Sequence, residues 1–112
     1  MDTEIFQESQ SFQGGEVTLT VTPNTVGPNA IHVDMVDAKG QSSDLASKIT
    51  VELTMPEKGI GPITREMLKA GHGHFFLEDV TDMAVPGTWQ IVLVIRVSDF
   101  EQERLTFQDP LR

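Results

Sequence analysis

The sequence predicts an all-β protein, an immunoglobulin-like antiparallel β-sandwich of about seven strands, with an open barrel as the alternative. Short segments in which polar and apolar residues alternate recur at spacings of about ten residues. Turns rich in proline and glycine separate these segments, and no segment has the length and periodicity of a stable helix. Both observations are typical of sheets packed face to face.

The strongest strand signal is the segment 86–97, which opens with Pro-Gly. One face of this segment carries Trp89, Ile91, Leu93, Ile95 and Val97, and the other carries Val92 and Val94. A strand that is apolar on both faces is expected at the centre of a sheet. We therefore predict that this strand is central and that Trp89, the single tryptophan, anchors the core.

The other predicted strands alternate with a period of two and cover the central one. They are the segments 16–22, 30–37, 48–55, 74–78 and 103–108. Residues 56–62 are predicted as a loop because they contain two prolines and two glycines. Residues 63–70 are strand or irregular structure, since the segment is too short for a lone helix and glycines follow it.

A single domain is predicted over residues 16–108 of the 112-residue chain. Residues 1–15 are mostly polar and are predicted as a flexible leader or linker with room for a short edge strand, and residues 109–112 as a tail. No segment has the length of a transmembrane helix, and the first residues lack the features of a secretory signal. The chain is thus expected to be cytoplasmic or to be a domain excised from a longer protein.

Composition excludes several classes of partner and chemistry. The chain has 8 Lys and Arg against 17 Asp and Glu, a formal net charge of -9, so nucleic acid and anionic membrane surfaces are not expected partners. The absence of cysteine excludes disulfides, thiolate zinc sites and a cysteine nucleophile. No nucleophile elbow, phosphate-binding glycine loop or other catalytic motif is present, so we predict that the protein is not an enzyme and has no catalytic residues.

The candidate metal ligands lie between residues 55 and 83. They are Met55, Met67, His72, His74 and Met83. On an extended chain the two histidines, two positions apart, project from the same side and can converge on one metal. Thioether sulfur suits Cu(I) and imidazole suits either oxidation state, so this set predicts copper, with Cu(I) favoured. His32, on the polar face of another strand, either joins the set or stands apart.

A metal-free interpretation stands beside this one. Methionines on inward strand faces commonly fill gaps in a core, and a pair of histidines in a glycine-flanked loop need bind nothing. The alternative prediction is therefore an immunoglobulin-like structural or protein-interaction domain without a metal.

The order of these segments resembles that of the YtkA-like domain family. The matching segments are 17–23, 27–33, 37–40, 48–53, 71–75 and 86–96, and together they span nearly all of residues 16–108. The most specific of them is the Pro-Gly-Thr-Trp sequence of residues 86–89.

This resemblance implies a function and a location. Domains of this family are extracytoplasmic β-sandwiches, and they also form the soluble C-terminal domain of CopD/YcnJ-type copper-transport membrane proteins. The resemblance therefore implies a periplasmic or cell-surface module in copper homeostasis. It further implies that the partner is a membrane copper transporter or the transmembrane region of the chain's own parent protein.

Overall fold

The computed structural model describes residues 5–112, and it confirms the predicted all-β sandwich. Nine strands are present in this part of the chain, more than the seven expected. They are β1 (Phe6–Phe12), β2 (Gly15–Thr22), β3 (Asn29–Val36), β4 (Lys48–Met55), β5 (Ile60–Glu66), β6 (Leu68–Lys69), β7 (His74–Val80), β8 (Gly87–Ser98) and β9 (Glu101–Leu111). A short 3-10 turn, Pro56–Lys58, joins β4 to β5.

The strands form two separate antiparallel sheets rather than an open barrel. The five-stranded sheet, here called sheet A, has the order β1-β2-β3-β7-β6. The four-stranded sheet, sheet B, has the order β5-β4-β8-β9. Inward-facing residues of both sheets form one continuous hydrophobic cluster, as expected when the apolar faces of two sheets pack together.

The predicted central strand is β8, which lies between β4 and β9. Trp89, Ile91, Leu93 and Ile95 are all 0% exposed. The indole Nε1 of Trp89 donates a hydrogen bond of 2.9 Å to the backbone oxygen of Val85, so its polar atom is satisfied inside the core. These contacts confirm that Trp89 is a core residue.

Both ends of the sandwich extend beyond the predicted domain limits. Residues 6–12, within the predicted leader, form edge strand β1, which pairs with β2 along its whole length. β9 continues through the predicted tail to Leu111, which is 3% exposed. Edge strand β1 has few inward apolar residues, which explains why its sequence suggests a linker. Residues 1–4 of the predicted leader lie outside the described part.

The ambiguous segment 63–70 is where the chain changes sheets. β5 ends at Glu66 in sheet B and β6 begins at Leu68 in sheet A, with Met67 between them. The backbone N–H of Met67 still bonds to Ile49 O at 2.9 Å, so the crossing follows the edge of the sandwich. Two short strands on different sheets give no single periodic pattern.

No helix within residues 5–112 is long and apolar enough to cross a membrane.

Candidate metal centre

The three methionines predicted as ligands lie in the core. Met55 and Met83 are 0% exposed and Met67 is 4% exposed, and all three belong to the hydrophobic cluster between the sheets. Thioether side chains at such positions fill irregular space among apolar neighbours. Their role as copper ligands stays a prediction, and it requires the core to open.

His72 and His74 are directed to different partners. The side chain of His72 is 79% exposed, and its Nδ1 lies 3.6 Å from Asp44 Oδ2. Gly73, between them, has a φ of +67°, so the chain is not extended there and His74 alone enters β7. Lys69 Nζ contacts Asp44 Oδ1 at 2.6 Å, and this bond holds the pKa of the Asp44 carboxyl below its ordinary value. His72 and His74, although only two positions apart in sequence, therefore have different side-chain partners.

The structure instead brings His74 next to His32, on the outer face of sheet A. His32 Nδ1 and His74 Nε2 are 3.4 Å apart, and the two ring centroids are 5.3 Å apart. Both side chains are about one-third exposed, at 34% and 33%. Two imidazole nitrogens thus face each other at an accessible position.

A carboxylate lies beside the outer nitrogen of each histidine. His74 Nδ1 is 2.6 Å from Asp34 Oδ1, and His32 Nε2 is 4.0 Å from Glu78 Oε2. Because the Asp34 carboxylate can only accept, Nδ1 of His74 carries a proton and Nε2 presents its lone pair to His32. Carboxylate partners of this kind orient histidines that bind metals. The four side chains form a row in the order Asp34, His74, His32, Glu78.

Strand register explains this juxtaposition. On β3 and β7 the polar residues alternate with core residues, so His32, Asp34 and His74 all face outward. The pairing of β3 with β7 sets His32 opposite Phe76 and Asp34 opposite His74, which makes the two histidines diagonal neighbours. The Phe76 ring lies 6.3 Å from that of His32 and 6.4 Å from that of His74, so it borders the pair on one side.

Sequence reasoning anticipated part of this pair. His74 was among the predicted ligands and His32 was placed on a polar strand face, but neither Asp34 nor Glu78 was singled out. The sequence does show that His32 and Asp34 are two positions apart on one strand, so both side chains lie on its outward face. This spacing could have identified Asp34 as a neighbour of the site. The register between β3 and β7 was the missing information.

The pair offers two protein donors rather than a closed coordination shell. Within residues 5–112, no group of three or more histidine, cysteine, aspartate or glutamate side chains is arranged to hold a metal ion. Asp34 and Glu78 lie at the outer sides of the imidazoles, away from the point where the facing nitrogens meet. An ion held here would complete its coordination with water or with ligands from another molecule.

A second polar cluster lies at one end of the sandwich and contains a buried carboxylate. Asp109 on β9 is 0% exposed, and its two carboxylate oxygens and Asn24 Oδ1 have no hydrogen-bond partner. Burial raises the pKa of Asp109 from an ordinary 3.8 to about 6. The Asn24 side chain offsets part of that rise in pKa although it makes no regular hydrogen bond to the carboxylate. Asn29, also buried, accepts a 2.7 Å bond from Asn24 N and closes the adjacent turn.

The fold and the site define an immunoglobulin-like β-sandwich domain with two adjacent imidazoles on an open sheet face. The chain belongs to the YtkA-like family, since the family model matches residues 9–94, well over half of its length. This match covers β3 and β7 and therefore includes both histidines of the pair. No curated protein and no solved structure matches the chain significantly.

Proposed function

We propose that this chain is a non-catalytic, extracytoplasmic copper-binding or copper-delivery module in copper transport or homeostasis. It takes up copper between His32 and His74. The observation that carries the proposal is the facing pair of imidazole nitrogens, 3.4 Å apart, in a chain of the YtkA-like family. The copper link that the family resemblance implies supports copper as the metal, and the facing imidazoles support this location for the site.

The spacing of the two nitrogens suits a shared metal ion. Metal–imidazole bonds are about 2.0–2.1 Å long, so an ion bound equally to nitrogens 3.4 Å apart makes an N–metal–N angle of roughly 110–115°. That angle lies within the range of three- and four-coordinate sites. Small side-chain rotations are enough to adapt it to a particular ion.

The setting of the pair supports transfer of the ion to another molecule. Both histidines are on paired strands of sheet A, whose backbone is fixed by neighbours on either side. Two protein donors leave coordination positions open, so an incoming ligand can bind the ion before these histidines release it. The net charge of -9 also attracts cations to the molecule. The proposed partner is a membrane copper transporter, or the transmembrane region of a longer parent protein.

Copper titration of paired variants tests this function. We expect the wild-type domain to bind one equivalent of copper, measured anaerobically for Cu(I) and in air for Cu(II), each against a competing chelator. The double substitution His32→Ala and His74→Ala removes both donors and should abolish stoichiometric binding in both titrations. Because these side chains lie on the outer face of sheet A, the circular dichroism of the β-sheet should not change.

His72→Ala is the matched control, because it removes an exposed imidazole that contacts Asp44 instead. It should bind copper as the wild type does. If the wild type binds neither Cu(I) nor Cu(II), the proposed function is contradicted and the metal-free interaction domain is favoured. Stoichiometric binding that survives in the double variant would place the site elsewhere.

A further inference from the structure

We infer that the His32–His74 pair holds copper as Cu(II) in preference to Cu(I), and that Asp34 is its positioning residue. This inference rests on the proposed function, because it specifies which form of copper the same pair takes. It departs from the Cu(I) preference that the methionines suggest in the sequence. Three features of the pair carry it: the donor atoms, the neighbouring carboxylates and the open side of the site.

Within residues 5–112, the donors on the outer face of sheet A around the pair are nitrogen and oxygen, without sulfur. Four methionines are buried in the core: Met35, Met55, Met67 and Met83. Met35 points inward although Asp34, the residue before it on β3, lies at the site. Soft thioethers are what would select Cu(I), whereas nitrogen and oxygen donors in a tetragonal arrangement suit Cu(II). Among divalent first-row metals, Cu(II) also binds a given set of nitrogen and oxygen donors most tightly, ahead of zinc.

The two carboxylates add negative charge next to the site. Asp34 and Glu78 each lie on the far side of one imidazole, at 2.6 Å and 4.0 Å from its outer nitrogen. A doubly charged ion gains more from this charge than a singly charged one, since the interaction energy is proportional to the charge. The hydrogen bond from His74 Nδ1 to Asp34 also makes the imidazole a stronger donor and fixes the direction of its Nε2 lone pair.

Copper binding requires a change of tautomer at His32. In the metal-free pair, Nδ1–H of His32 donates to Nε2 of His74, because Nδ1 of His74 already carries the proton bound to Asp34. Copper bound at Nδ1 of His32 would require the ring proton on Nε2, the nitrogen that faces Glu78. The Glu78 carboxylate could then accept a hydrogen bond from this N–H.

The side of the site towards β2 is lined by small hydroxyl side chains. Thr20 is paired with His32 and Thr18 with Asp34 across β2 and β3. Their hydroxyls are hydrogen-bonded to Gln7 Nε2 at 3.0 Å and to Ser9 Oγ at 2.7 Å, so the additional oxygen ligands that a tetragonal Cu(II) ion requires would be water or groups of another molecule. Two neighbouring ligands at 90° need nitrogens about 2.8–3.0 Å apart, so the observed 3.4 Å must close by roughly half an ångström, which ring rotation can supply.

Parallel affinity measurements with Cu(II) and Cu(I) on the same protein test the inference. Cu(II) is titrated against nitrilotriacetate and Cu(I) anaerobically against bicinchoninate, and frozen-solution EPR of the Cu(II) form counts coordinated nitrogens. We expect one tightly bound Cu(II) with two imidazole nitrogens and a Cu(I) affinity at least tenfold weaker. Asp34→Asn should weaken Cu(II) binding about 10- to 100-fold and change the EPR hyperfine coupling. Asp99→Asn, which removes an equal charge from the exposed β8–β9 turn, should change neither.

The outcomes separate the inference from the function on which it rests. Cu(I) held at the pair as tightly as Cu(II), or more tightly, would overturn the Cu(II) inference and leave the proposed function standing. Failure of both ions to bind would overturn both. If the Asp34→Asn variant has the Cu(II) affinity and EPR spectrum of the wild type, Asp34 does not position His74 for copper binding.

Discussion

The buried methionines are expected to tolerate replacement by leucine without loss of copper. Met55, Met67 and Met83 occupy the core, where a swap of similar volume costs less than about 1.5 kcal/mol each. The triple variant Met55→Leu, Met67→Leu and Met83→Leu should therefore fold and bind one equivalent of copper. Urea unfolding and copper titration measure the two properties. A folded triple variant that no longer binds copper would indicate that one or more of these methionines are copper ligands.

Asp109 makes stability depend on pH in the acidic range. Its pKa in the folded protein is about 6, above the ordinary value of 3.8, so folding favours the protonated form. The stabilising contribution of protonation is therefore fully present below about pH 3.8 and is lost as the pH rises through 6. The shift corresponds to about 3 kcal/mol of unfolding free energy at pH 8.

Asp109→Asn should remove this loss, because the amide is neutral at every pH. We expect the variant to be about 1–3 kcal/mol more stable than the wild type at pH 8 and similar to it at pH 4. Urea unfolding at both pH values measures the difference, with Asp99→Asn as the exposed control. A variant equally or less stable than the wild type at pH 8 would show that the Asp109 carboxylate is charged at no cost in the folded state.

Individual residues on strand faces were predictable, but their partners were not. Alternation alone assigned Val17, Leu19 and Val21 to the core and His32 to a polar face, as observed. The contact between His32 and His74 spans 42 positions in sequence and depends on the register of β3 with β7. The inward-facing Asp109 could not be anticipated, since an aspartate near a chain end is normally exposed.

At the scale of elements, the turn before β7 fixes the position of His74. Gly73 has a positive φ, and its carbonyl accepts a 2.8 Å bond from Met35 N on β3. A Cβ at Gly73 would lie 2.7 Å from the backbone oxygens of Met35 and Ser43, closer than atoms can approach. The turn is thus pressed against the strand that carries His32.

Gly73→Ala should weaken both folding and copper binding. The left-handed backbone and the backbone clash together should lower stability by roughly 2–4 kcal/mol and displace His74 from His32. Gly71→Ala is the matched control: Gly71 also has a positive φ, but a Cβ there meets nothing within 4 Å. It should cost about 1–2 kcal/mol and leave copper affinity unchanged. Equal copper affinities in the two folded variants would show that the turn does not position His74.

Long strands with regular alternation were predicted closely, and short or edge strands were not. The predicted segment 48–55 coincides with β4, and the predicted central strand coincides with β8 to within a residue at each end. β5 and β6 were missed as separate strands because the chain changes sheets at Met67 between them. Edge strand β1 was foreseen only as room for a short edge strand within a leader, because one side of it has no sheet neighbour and few of its residues need to be apolar.

For the whole molecule, the layout separates stability from the proposed function. The core lies between the two sheets, whereas the His32–His74 pair lies on the outer face of sheet A. Substitutions at the pair can therefore remove metal binding without opening the core. The same layout leaves the pair open to a partner that approaches the broad face of the sheet.

The most direct test of this account is an NMR experiment on the wild-type domain with substoichiometric Cu(II). Paramagnetic broadening should first remove the amide signals of a compact patch on the outer face of sheet A, comprising Thr18, Thr20, His32, Asp34, His74 and Phe76. Signals on the outer face of sheet B, such as those of Glu52 and Arg104, should persist. Broadening centred on His72 and Asp44 rather than on His32 and His74, or no localised broadening, would contradict the assignment of the copper site to the His32–His74 pair.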